Sequence, residues 1–341
     1  MRAVVCPDKF RGSLSAPDAA AAIASGLRRS GFDDVRELPL ADGGEGTLDA
    51  LLASLGGSRR LTRVTGPLGE ATEAEYAVLS DGTAVVEMAR ASGLALVAGR
   101  NDALRASTRG TGELIAAAAR AGCRRIIVGV GGSATSDGGL AAVEALGWTL
   151  PRVEVVVACD VTTTFLDAAR VYGPQKGATD AQIALLSRRL HTIAETYRDR
   201  LGIDVTELEH GGAAGGLAGG LAAIGAHLEP GFDVIADAVG LDDALDDAGL
   251  VVTGEGRLDT TSLTGKVVGG VLERADDLQI TARAVICGAA DAEVRAALEA
   301  KGVTVLTLVE RVWNAGDAFA RAALLCEEAA VEAAGRARAA G

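Results

Sequence analysis

The sequence predicts an α/β protein in which a parallel-sheet domain is interrupted by an inserted domain with a mixed sheet. Three observations carry that expectation. Strand and helix patterns alternate at both ends of the chain, the middle contains hairpin chemistry, and three apolar runs end in glycine-rich acidic loops. Alternating strands and helices imply parallel pairing with helices on both faces of the sheet.

The opening segment reads as a strand over 3–6, a helix over 16–30, a strand over 35–40, and a helix leaving the loop ADGGEGT (41–47) toward residue 55. The last third resumes that rhythm with strands over 250–253, 284–287 and 303–309, separated by helices over 266–275 and 291–300 and closed by an Ala/Glu/Arg helix from 317. Five such strands make a flavodoxin-like sheet. The middle differs: 60–64, 72–79 and 83–88 are strand-like, and SDG joins the last two as a hairpin turn rather than a crossover. A helix over 111–121, apolar strands over 125–130 and 153–159, and a polar amphipathic helix over 181–200 follow. The expected division is therefore a discontinuous flavodoxin-like domain, 1–57 and 242–341, around an inserted mixed α/β domain, 58–241.

At 341 residues the chain is long enough for two domains, and with only 3% aromatics its core must be built from Ala, Val, Leu and Ile. A net charge of −13, with no cluster of Lys and Arg, argues against nucleic acid or an anionic membrane as partner. Small-molecule substrates and a monomer or homodimer are expected instead. The five cysteines are scattered and lack C-x-x-C spacing, so they read as buried thiols of a cytoplasmic protein. The chain opens on a strand with no basic or apolar leader, and 211–226 is too short and glycine-rich to span a bilayer.

The chemistry concentrates in ADGGEGT (41–47), GVGGSATSDGG (129–139) and VTGEGRLDTTS (252–262). Glycine lets main-chain N–H groups approach an anion, a following helix adds its positive dipole end, and the acids suit a divalent cation. Together they predict a phosphate site. Only four lysines occur, and Lys9, Lys176 and Lys266 each fall in a turn of their own, PDKFRGS, GPQKG and TGK, where a compact ammonium suits phosphate or carboxylate; Lys301 reads as a solvated helix end. Asp8, Asp42, Asp160 and Glu255 each follow an apolar strand, where ligands of open α/β sheets bind, although each also suits an N-cap.

A nicotinamide-dependent reductase of a small hydroxy acid is the alternative, because Gly129, Gly131 and Ala134 fit G-x-G-x-x-A with Asp160 at the end of the next strand. The loop runs on through Ser133, Thr135, Ser136 and Asp137 before any helix, which weakens that match. A non-catalytic metabolite sensor on the same scaffold is the third reading. No Walker A motif is present, because Val267 follows Lys266. His191 and His227 read as structural, whereas His210 abuts a glycine loop and is a candidate ligand contact.

Across almost the whole chain the segments PDKFRGSLSA, PLADGGEGT, VTGPLGE, EMARASGL, STRGTGELI, GVGGSATSDGG, ACDVT, GPQKGA, GGAAGGLAGGL, VVTGEGRLDTTSLTGK and ICG stand in the order of the bacterial glycerate kinase family, which this sequence resembles. The resemblance implies ATP-dependent phosphorylation of D-glycerate, usually to 2-phosphoglycerate, with Mg2+, by a flavodoxin-like domain carrying an inserted one. This chain departs from many relatives at Arg11, Ser136 and Thr163 and in a shortened connection after Trp148.

On that basis the expected nucleotide-binding residues are Gly131, Gly132, Ser133, Ala134, Thr135 and Asp137. Lys266 is the expected mobile cation on the phosphates and Asp160 the expected base. Asp42 and Glu45 are the expected metal or glycerate-hydroxyl ligands, beside Gly43, Gly44, Asp8 and Glu255 on the substrate. Arg11, Lys176 and Arg257 are expected to receive the glycerate carboxylate, and the two-domain reading predicts closure on both substrates, which would keep water from the phosphoryl group.

Overall fold

The computed structural model describes residues 2–340, and eleven strands lie among these described residues. In chain order they are β1 (Arg2–Val5), β2 (Asp34–Glu37), β3 (Gly57–Thr65), β4 (Ala71–Leu79), β5 (Thr83–Glu87), β6 (Arg125–Gly129), β7 (Glu154–Cys159), β8 (His227–Pro230), β9 (Ala248–Leu258), β10 (Arg283–Ala290) and β11 (Thr304–Thr307). The chain folds as two compact units. The first comprises Met1–Asp42, Asp49–Ser54 and Phe232–Gly341, the second Gly43–Leu48 and Leu55–Gly231.

The first unit holds a five-stranded sheet in the order β11-β10-β9-β1-β2, every pair parallel. Renumbered along the unit this is the 2-1-3-4-5 order of a flavodoxin-like sheet. Helix Ala16–Arg29 starts where Ser15 accepts the Asp18 N–H and Pro17 pre-sets the first turn. Its apolar stripe, Ala19, Ala20, Ile23 and Leu27, packs with Leu325, Cys326, Ala329 and Ala330 of the C-terminal helix over one face of the sheet. On the other face Val268, Leu272, Val294 and Leu298 cover Val285, Cys287 and Val305.

In the second unit the order is β3-β4-β5-β6-β7-β8; the β3–β4 and β4–β5 pairs are antiparallel and the remaining pairs parallel. The SDG turn makes the expected hairpin, with Asp81 accepting the Thr83 N–H at 2.8 Å. Val86, Met88, Leu114, Ile115, Val128, Val157, Leu217 and Leu221 form one core layer. A second layer gathers Phe165, Leu186, Leu190, Ile193 and Tyr197 under helix Asp180–Leu201, which opens on a Thr179–Gln182 capping box. The shortened connection is closed locally: Trp148 adopts φ 65°, with the Arg200 guanidinium 3.9 Å above its ring.

Two features depart from the sequence reading. β8 is a short, half-exposed edge strand ending in proline, without the apolar run that marks a buried strand. β9 continues beyond Thr253 through the glycine-rich stretch to Leu258, because its ladder with β10 extends to Cys287↔Glu255, Ala289↔Arg257 and Ala290↔Leu258. Glycine lowers strand propensity but does not prevent pairing once a neighbour supplies the ladder.

Candidate active site

In the first unit the carboxyl ends of β1 and β9 collect the acids. The N–H of Asp8 donates to the Gly254 carbonyl at 2.8 Å, continuing the sheet one turn past β1. The Asp8 carboxylate accepts the Lys9 N–H at 2.6 Å and faces the Lys9 ammonium at 3.5 Å. Burial pushes Asp8 up to about 6; Lys9 opposes the shift and the charge of Asp42 adds to it. Asp42 is itself buried, 7% exposed.

Glu255 is placed by the β9 extension rather than by a loop. Burial raises it to about 7, the Ser262 hydroxyl and Lys266 pull it down, and Asp8 pushes it further up. Its buried Oε1 accepts no hydrogen bond. Lys266 is the N-cap residue of helix Val267–Asp277, which has no side-chain cap, so its orphan N–H groups accompany the ammonium. Asp8, Asp42, Glu255 and Lys266 thus form one electrostatically linked group.

Arg11 and Arg257, expected on the glycerate carboxylate, are exposed, and Arg257 pairs with Asp291 at 2.7 Å. A Cβ on Gly256 would stand 2.9 Å from the Arg11 nitrogen, so glycine there lets the PDKFRGS loop lie on β9.

Within the second unit, two glycine loops meet main chain to main chain. A Cβ on Gly131 would lie 2.6 Å from the Gly44 Cα, one on Gly43 2.5 Å from the Ala158 carbonyl oxygen, and one on Gly132 2.6 Å from Glu45 Oε1. Gly43, Gly44, Glu45, Gly131 and Gly132 are therefore brought together at the carboxyl ends of β6 and β7. Asp160 emerges just past β7 and is half-buried. Beyond it His210, at φ 66°, sets Nδ1 2.7 Å from the Val161 carbonyl.

Four expected ligand contacts, Ala134, Thr135, Asp137 and Lys176, have partners within the protein in this geometry. The N–H of Ala134 donates to the Ser92 carbonyl at 3.0 Å, and Thr135 is fully buried with its hydroxyl on the Ala214 carbonyl at 3.2 Å. Asp137 points inward, accepting from the Thr108 N–H at 2.8 Å, the Thr108 hydroxyl at 2.9 Å and the Gly139 N–H at 3.2 Å. Lys176 is 1% exposed and donates to the Thr135 carbonyl, so it reaches no solvent-borne carboxylate in this conformation. The part of the loop that is not buried is Gly131, Gly132 and Ser133, with Gly132 exposed and its two neighbours half-buried.

Glu87, which the sequence reading gave no role, is 3% exposed. Its Oε1 accepts the N–H groups of Gly46 (2.8 Å) and Leu48 (3.0 Å), and its Oε2 pairs with Arg90 at 2.7 Å. It satisfies the donors that open helix Thr47–Leu55, which were expected to face an anion. Its place at the end of a fully buried β5 was the available signal.

The dinucleotide reading also meets a geometric obstacle. Ten residues separate Gly129, which ends β6, from helix Leu140–Ala145, so no helix opens against the glycines. Among the described residues no group of three or more His, Cys, Asp or Glu side chains is arranged to hold a metal ion. Among them also, no helix is long and apolar enough to cross a membrane.

Comparison with known proteins agrees with the resemblance in the motifs. The glycerate kinase family profile matches residues 3–152 and 149–337. Glycerate 2-kinase of Escherichia coli (strain K12) is 42% identical over 309 residues, covering 80% of this chain and 81% of that protein. Glycerate kinase of Halalkalibacterium halodurans is 38% identical over 364 residues, covering 96% of each. A crystal structure from Salmonella typhimurium LT2, assigned as glycerate kinase 2, superposes with a TM-score of 0.85 at 36% identity, over 100% of this chain and 99% of that one. With the profile spanning both units and relatives at this identity across most of its length, the chain belongs to the glycerate kinase family.

Proposed function

We propose that this protein transfers the γ-phosphoryl group of ATP to the 2-hydroxyl of D-glycerate, giving 2-phosphoglycerate and ADP. The observation that carries the reading is the apposition of the 43–45 and 131–132 loops at the carboxyl ends of β6 and β7, in a chain of the glycerate kinase family. Free, buried cysteines fit a cytoplasmic enzyme acting on small molecules.

In this reading the partly exposed stretch Gly131, Gly132 and Ser133 receives nucleotide phosphate. Lys266, with the uncapped helix start behind it, places positive charge on the moving group. Asp8 and Glu255 hold glycerate hydroxyls, a task suited to carboxyls that exchange protons near neutral pH, and the exposed Arg11 meets the glycerate carboxylate. Mg2+ is usually bound by one or two carboxylates together with substrate phosphates; Asp42 and Glu45 suit that, and the ion would neutralise phosphate charge. A bond forms from the 2-hydroxyl oxygen to the γ-phosphorus while the bond to the ADP oxygen breaks. The hydroxyl proton passes to Asp160.

The test is ADP release in the presence of D-glycerate, with and without Mg2+. Release that needs both supports the reading. Oxidation of NADH with hydroxypyruvate, without ADP release, would instead support a reductase.

A further inference from the structure

Lys176 lies in the Pro174–Lys176 turn with its side chain in the interior of the second unit. Its ammonium donates to the Thr135 carbonyl and stands 5.8 Å from the centroid of the Tyr172 ring. Among the described residues no carboxylate lies within ion-pair distance of it. Asp137, the acid whose charge favours the ammonium, is occupied by Thr108 and Gly139.

Three carbonyls spaced along this loop are fastened by donors from outside it. Gly132 O accepts the Leu94 N–H at 2.8 Å, Thr135 O accepts Lys176, and Gly138 O accepts the Tyr197 hydroxyl at 2.8 Å. Lys176 is the charged donor in that series. Charge-assisted bonds are the stronger kind, and a buried cation persists only where it is matched by such acceptors.

We propose that Lys176 is a positioning residue that holds the inner half of the 131–139 loop from behind, so that the outer, partly exposed stretch at 131–133 keeps the shape that binds nucleotide phosphate. It does not touch glycerate. The inference rests on the phosphotransferase reading for its kinetic part only. Burial lowers the ammonium to about 7, which accords with a side chain enclosed by protein rather than open to ligand.

Lys176→Met keeps most of the aliphatic reach and removes the donor, whereas the shorter Lys176→Gln keeps a neutral donor. Hydrogen exchange of the 131–139 amides, read by mass spectrometry on the ligand-free protein, is expected to accelerate about tenfold in Lys176→Met and less in Lys176→Gln. The KM for ATP is expected to rise roughly tenfold or more, with the KM for D-glycerate within about twofold of wild type. Unchanged exchange in both variants overturns the proposal, as does a rise confined to the glycerate KM, which would put Lys176 on the substrate carboxylate. Should Lys176→Met fail to fold, the same readouts on Lys176→Gln decide. A wild-type protein that makes no phosphoglycerate would sink the function while leaving the exchange measurement to judge Lys176.

Discussion

Gly44 and Gly131 touch through their backbones: a Cβ added to Gly131 would stand 2.6 Å from the Gly44 Cα, closer than side chains tolerate. The contact joins two loops that the sequence shows only as separate motifs. Gly131→Ala is expected to cost about 1–3 kcal/mol as overpacking and to cut kcat/KM by roughly a hundredfold through loop displacement. Gly335→Ala, where an added Cβ meets nothing within 4 Å, serves as the control and should leave both unchanged or raise stability slightly. Equal melting temperatures and rates for Gly131→Ala and wild type would show that the apposition is slack.

Glu87 anchors the 43–48 loop from inside. Glu87→Ala leaves the Gly46 and Leu48 N–H groups without their acceptor and removes one of the carboxylates paired with Arg90, Glu75 remaining at 3.5 Å, and chemical denaturation should show a loss of about 2–4 kcal/mol. Glu87→Gln keeps one acceptor oxygen and should lose less. A larger loss in Gln than in Ala would contradict this account of the carboxylate.

Asp8 and Glu255 give stability a particular pH dependence. Their folded values, about 6 and about 7, lie above those of an unfolded chain, so the folded protein holds protons that the unfolded chain has released. Their contribution is therefore full below pH ~4 and is lost as pH rises to ~7. Lys176 acts in a separate window: lowered to about 7, it makes stability rise with pH from there toward ~10. Glu255→Gln should melt higher than wild type at pH 8, by on the order of 3 kcal/mol, and by much less at pH 4.5. The same melting difference at both pH values would contradict the assignment.

Two charged groups separate catalysis from folding. Lys266→Ala should reduce kcat/KM by several kcal/mol of transition-state stabilisation, with little change in melting temperature, because its half-buried side chain caps nothing. Asp160→Asn, nearly isosteric, should fold and bind ATP yet lose roughly a hundredfold or more in turnover. Surviving turnover would move the base to another residue, with Asp42 the next to test.

Much of the fold was legible because each helix and strand of the alternating rhythm carried its own period, and because SDG and Ser15 are local signals. β8 was not, since His227–Pro230 draws its place from β7 and not from its own apolarity. The extension of β9 was hidden for a related reason: Gly254 and Gly256 suggest a turn until β10 is known to run alongside. At the site, residue types were readable but side-chain direction was not. Asp137 and Lys176 looked like ligand contacts by composition, and the structure turns both inward. Glu87 looked like a strand end and proved to hold a loop.

Incubation of the purified protein with ATP, Mg2+ and D-glycerate, followed by phosphorus NMR of the product, tests the central claim most directly. The account predicts a phosphomonoester whose proton coupling marks attachment at C2, formed with one ADP per glycerate consumed. A product phosphorylated at C3 would contradict the 2-hydroxyl assignment, and the absence of phosphoglycerate would contradict the proposed function itself.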